Sequence, residues 1–131
     1  MTARILRGAL RTWLLLLVGM FAAGALRVVL VAPRLPPLGT EVVGALLGAA
    51  VILGLTRPFV RSLDRPSVGT LTALAALWLA LTVAFEFGFF HYVGGHSWAS
   101  LLEQYDVSKG HLWPFVLATL AAAPFAWTRR R

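Results

Sequence analysis

The sequence predicts an all-α membrane protein: an antiparallel four-transmembrane-helix bundle with a short amphipathic interfacial helix between helices three and four. Three observations carry this. Only 13% of the 131 residues are charged and 59% are hydrophobic, against about 25% charged in a soluble domain. The apolar runs are as long as the ~20 residues that cross a hydrocarbon core. The basic residues fall in small groups at the ends of those runs, which is how Lys and Arg set membrane topology.

The same features exclude other classes. A net charge of +7 does not mark a nucleic-acid protein here, because the bases do not line one face. With no Cys, there can be no disulfide, thiolate metal site or redox dithiol. The length suits a single membrane domain, 1–131, without a separate soluble unit.

The first span is expected over about 12–32, after a basic arm with Arg4, Arg7 and Arg11. A basic start, an apolar core and Ala22-Ala23-Gly24-Ala25 also fit a cleaved signal peptide. The apolar residues that resume after Arg27 favour an uncleaved helix. Pro33, Pro36 and Pro37 then make a rigid connection.

The second span is expected over about 40–56, with Thr40 as its N-cap and Glu41 in its first turn. Gly44 and Gly48 stand at i, i+4, as do Ala45 with Ala49 and Ala50 with Gly54. Small residues at this spacing let helices approach closely in lipid, which suggests self-association or docking on another membrane protein through Gly44 and Gly48. A basic loop, Arg57 to Pro66, follows.

Ser67 is placed as the cap of the third span, about 68–91. Over 97–105, Trp98, Leu101, Leu102 and Tyr105 recur at i, i+3, i+4, i+7, the pattern of a helix lying in the interface. The fourth span, about 112–127, has Pro114 in its first turn, where a missing N–H does little harm.

Nine basic residues fall on one side of this arrangement (Arg4, Arg7, Arg11, Arg57, Arg61, Arg65 and Arg129 to Arg131) against Arg34 and Lys109 on the other. That bias places both termini in the cytoplasm. Among Trp and Tyr, only Trp78 falls at mid-membrane.

Helical rise sets the depth of the costly residues. Arg27 is sixteen residues beyond Arg11, about 24 Å up the first helix. Glu86 is nineteen beyond Ser67, about 28 Å up the third. Glu41 opens the second helix at the same level. Arg27, Glu41 and Glu86 thus form one polar layer, with His91, His96, His111 and Trp98 as a candidate site on the outer face. An ion pair of Arg27 with Glu86, sharing Glu41, is the expected way to satisfy these groups in lipid. An unpaired Glu86 is instead a candidate carrier of a proton or cation. A divalent metal held by His91, His96 and Glu86, with His111, Glu103 or Asp106 as substitutes, is a further alternative.

No Walker, Rossmann or HExxH pattern occurs, and Ser97 beside His96 reads as a helix cap rather than a nucleophile. No catalytic residue is assigned.

The pieces Val31-Ala32-Pro33-Arg34 with Gly39-Thr40-Glu41, and Phe85-Glu86-Phe87-Gly88 with Gly95-His96-Ser97-Trp98, resemble a group of uncharacterised small four-span bacterial inner-membrane proteins. The resemblance implies the fold and a multi-pass place in the inner membrane, and no activity. The leading functional expectation is an accessory, assembly or structural component of a membrane complex or homo-oligomer. The alternatives are a small proton- or cation-coupled transporter or channel using Glu86, and an outer-facing metal-handling protein or enzyme using His91 and His96.

Overall fold

The computed structural model of the chain describes residues 2–103, 105–106, 108 and 111–128, and within them it is all-helical. Thr2 opens the first helix, α1 (Ala3–Leu26), its hydroxyl accepting from the Ile5 N–H at 3.2 Å. This is earlier than expected. Arg4, Arg7 and Arg11 lie on the helix rather than on an arm before it, because the cap at Thr2 satisfies an otherwise free amide and no Pro interrupts the run. The rod continues as a π-helical segment, Arg27–Val31, closed by Ala32 N–H to Arg27 C=O at 2.8 Å.

The second helix, α2 (Pro37–Ser62), outruns the expected 40–56 at both ends. Thr40 is not its cap. Pro36 takes the extended N-cap conformation and Pro37 the first helical position, where a fixed φ is pre-organised and no N–H is wanted. Thr40 sits one turn in, buried. At the other end the helix passes through Arg57 and Pro58 to Ser62, so two bases assigned to a loop stand on its last turns. A loop from Leu63 follows, in which Arg65 adopts φ +45°.

The third helix, α3 (Val68–Tyr92), matches its expected span, and Ser67 caps it by accepting from the Thr70 N–H at 3.1 Å. Gly94 and Gly95 end it: Gly95 has φ +74°, and the His96 N–H returns to the Phe90 C=O at 2.9 Å. A side chain is disfavoured in that left-handed conformation. The short helix expected at the interface, α4, is Trp98–Glu103. Gln104, within the expected 97–105, lies outside the described residues, as do Lys109 and Arg129 to Arg131. The last helix, α5, is Trp113–Trp127, with Pro114 in its first turn and Pro124 inside it.

Three helices, counting the π segment with α1, are long and apolar enough to cross a membrane. The fourth is apolar but has 15 residues, about 22 Å against a core of ~30 Å. The helix-rich surface carries large apolar side chains, with Val68 73% and Val18 70% exposed. Such a surface is costly in water and costs nothing against lipid tails.

Packing runs α1 to α2, α2 to α5, and α5 to α3, while α4 folds onto α3. Close approach of α1 and α2 rests on glycine: a Cβ at Gly19 would lie 2.8 Å from Leu55 and Val51, and one at Gly8 would strike Phe59. Between α2 and α5, Gly48 faces Val116, and the Trp127 indole donates to the Leu53 C=O at 2.8 Å. Helices α1 and α3 meet mainly through side chains. Trp78, fully buried, donates to the Ala9 C=O at 3.0 Å, and Trp13 to the Thr82 hydroxyl at 3.1 Å. Further along, Phe21 meets Phe85 and Phe89 edge-on at 6.1 Å. With the two backbones held apart, space is left inside.

Candidate functional site

That space is a cleft of about 860 Å³, bordered by α1, α2, α3 and α5. Its volume lies within the ~300–1,000 Å³ typical of small-molecule sites. One end is apolar, with Leu16, Ile52 and Leu120 among its walls, and the other reaches Arg27, Glu41, Glu86, His96 and His111. Arg27, Glu41 and Glu86 thus border one cleft. Their internal pairing is different.

Arg27 and Glu86 form no ion pair. Glu86, 6% exposed, accepts from the Tyr105 hydroxyl through Oε1 at 3.1 Å. Its second oxygen, Oε2, is buried without a hydrogen-bond partner. Tyr105 is brought there by the α4–α5 connection, which lays its ring on Phe87 at 5.9 Å and 14°. A donor from a loop thus stands where a helix-borne cation was expected. Trp113, in the first turn of α5, lies by the same carboxylate and by the Tyr105 hydroxyl, its buried indole N–H close to Glu86 but short of a well-formed hydrogen bond. The Trp113 N–H and the Glu86 carboxylate are therefore neighbours joined by a weak contact rather than a full hydrogen bond.

Glu41 is not shared with Arg27 either. Its Oε1 lies 3.3 Å from His111 Nδ1, both side chains about a third exposed (32% and 34%). Arg27 stands on the π segment and runs across Gly44, where a Cβ would come within 2.5 Å of the Arg27 Cδ. Among the described residues its guanidinium makes no ion pair or hydrogen bond. Gly44 and Gly48, expected to form an association face, turn inward instead: Gly44 seats the arginine, and Gly48 is buried against Met20 and Val116.

The histidines do not converge. His91 Nδ1 is 2.8 Å from the His96 C=O, and its ring stacks on Trp98 at 3.6 Å. His96 borders the cleft and His111 is engaged with Glu41. Among the described residues, no three of His, Cys, Asp or Glu are grouped to hold a metal ion. The set His91, His96 and Glu86 fails because the turn at Gly95 directs the His96 carbonyl, rather than its ring, toward His91.

Burial, then the charge of the nearby Glu86, pushes the Tyr105 phenol up to about 12. Tyr105 is accordingly a donor to the carboxylate at any physiological pH. Tyr105 and Trp113 were legible in the sequence only as interfacial aromatics. Nothing in their spacing relates them to Glu86, nineteen residues or more away along the chain.

Compared with protein-family models, curated proteins and solved structures, the chain matches none.

Proposed function

We propose that the chain is a four-span bacterial inner-membrane protein with both termini cytoplasmic, and that it works by holding a small amphipathic molecule in its cleft. Contacts support alternating directions. Gly8 opposes Phe59 and Gly44 opposes Arg27, so α1 and α2 run oppositely. Ala9 meets Trp78 and Phe21 meets Phe89, so α1 and α3 run together. From Glu41–His111 to Leu53–Trp127, α5 follows α2 across the bundle. The basic ends of α1 and α2 then share one side, as positive-inside bias requires.

One observation carries the binding reading: a buried carboxylate, paired with no cation among the described residues, ends a mostly apolar cleft. An ionisable group inside a membrane domain is a functional pointer by default, and a structural ion pair does not account for Glu86.

The test is native mass spectrometry on protein extracted in patches of its own membrane, comparing the wild type with Gly24→Leu. Gly24 borders the cleft, and a Cβ there meets nothing within 4 Å, so a larger side chain starts out into open space. A bound small molecule present in the wild type and absent from the variant is the expected result. A wild-type mass equal to the bare chain contradicts the reading.

The accessory-subunit reading keeps a separate observation. On the outer side of α1 and α2, Ala22, Leu26, Leu47, Ala50 and Gly54 border an apolar groove of about 400 Å³. Ala50 and Gly54, rather than Gly44 and Gly48, are then the small pair open to a partner helix. Loss of a co-purifying protein in Gly54→Leu supports that reading, and unchanged co-purification removes it.

A further inference from the structure

We infer that the cleft's ligand is an amphiphile with an acidic headgroup, its oxyanion held by Arg27 and its chain laid along the apolar shaft. This rests on the binding reading above and names the class of molecule.

The dimensions point to a lipid chain. From Arg27 to Leu16 and from Glu41 to Ile52 is eleven residues, about 16 Å in each helix. From His111 to Leu120 is nine, or about 14 Å. Half of a hydrocarbon core is about 15 Å. The cleft is therefore one leaflet deep, polar where headgroups lie and apolar where chains lie.

The donors point to an acid. Among the described residues no anion lies on the Arg27 guanidinium, which borders the cleft, and a lone arginine at this depth requires a counter-ion. Its planar fork fits a carboxylate or phosphate by two parallel hydrogen bonds. The side chain is held by a seat that only glycine allows, since a Cβ at Gly44 would stand 2.5 Å from the Arg27 Cδ. The buried Trp113 Nε1–H, beside Glu86 and Tyr105 without a well-formed hydrogen bond, is a second donor in the same cleft. Glu41, the nearest carboxylate in sequence to this seat, is already engaged by His111. The buried Glu86 Oε2, which closes no full hydrogen bond within the protein, can accept from a hydroxyl or a protonated acid oxygen of the headgroup.

The test uses protein in nanodiscs of zwitterionic lipid. Brominated long-chain carboxylic acid, the matching alkyl phosphate and the matching alcohol are titrated in separately. Quenching of tryptophan fluorescence reports entry, because Trp13 and Trp113 border the cleft. Both acids are expected to quench at about tenfold lower concentration than the alcohol, the fold-change of one charge-assisted hydrogen bond. Arg27→Gln should abolish that preference while leaving quenching by the alcohol unchanged, and Arg27→Lys should keep part of it. Gly44→Ala, which displaces the arginine without removing it, should weaken the acids alone. Equal quenching by acid and alcohol in the wild type overturns the inference, as does a preference that survives Arg27→Gln. Displacement of the acid by inorganic phosphate at matched concentration also overturns it, identifying a free-anion site. Quenching by none of the chains, before or after Gly24→Leu, is instead a failure of the binding reading itself.

Discussion

At the scale of single residues, the account turns on which donor satisfies Glu86. If Tyr105 does so, Tyr105→Phe leaves a buried carboxylate oxygen unpaired and should destabilise the protein by about 1–3 kcal/mol, read as a lowered melting temperature in detergent. An Arg27/Glu86 double-mutant cycle should give a coupling below about 0.5 kcal/mol, the limit for residues without direct contact. A large coupling would restore the ion pair. Alkali offers a second check. The Tyr105 phenol ionises at about 12 in the folded chain against about 10 for a free tyrosine. The folded state therefore holds the proton that the unfolded state loses between those values. This contribution is complete below pH 10 and declines as pH rises toward 12. Phenolate absorbance, taken as wild type minus Tyr105→Phe, should emerge late in alkali and move earlier in Glu86→Gln. Depth alone made the residues of the polar layer visible in the sequence, since 1.5 Å of rise per residue is fixed. Their pairing was not visible, because rotation about a helix axis depends on packing that no spacing encodes. Arg27 and Glu86 share a level without sharing a contact.

At the scale of elements, capping residues were readable and helix ends were less so. Ser67 was identified by its chemistry, and its hydroxyl accepts from Thr70 as a cap should; Ser67→Ala should cost about 1 kcal/mol. Thr40 carries the same chemistry, yet Pro36 and Pro37 pre-organise a start one turn earlier. The basic loop expected over Arg57 to Pro66 begins only at Leu63: apolar contacts such as Phe59 on Trp78 at 6.2 Å and the full burial of Val60 carry the helix past Pro58. Trp78 ties α1 to α3 with its ring and its indole N–H together. Trp78→Ala should cost about 3–5 kcal/mol, more than Tyr105→Phe, in the same melting experiment. The small-residue pattern on α2 marked close approach correctly and its direction incorrectly, since Gly44 and Gly48 serve the arginine seat and the α5 contact.

At the scale of the whole molecule, composition and the placement of bases made a helical membrane protein readable without any structural information. The cleft was not readable. It exists because α1 and α3 are bridged by side chains rather than packed backbone to backbone, a property of the assembled bundle. Of the bridging rings, Trp13, Phe21 and Phe85 also line the cleft between α1 and α3. The measurement that tests the account most directly is photo-crosslinking in nanodiscs with two long-chain acids, one carrying its photoreactive group near the head and the other near the tail, with labelled residues located by peptide mass spectrometry. The account predicts head-group labels at Arg27, Glu41 or His111 and tail labels at Leu16, Ile52 or Leu120, both lost in Gly24→Leu. Labels confined to the exposed Val18, Leu46 and Val68, unchanged by that substitution, would contradict it.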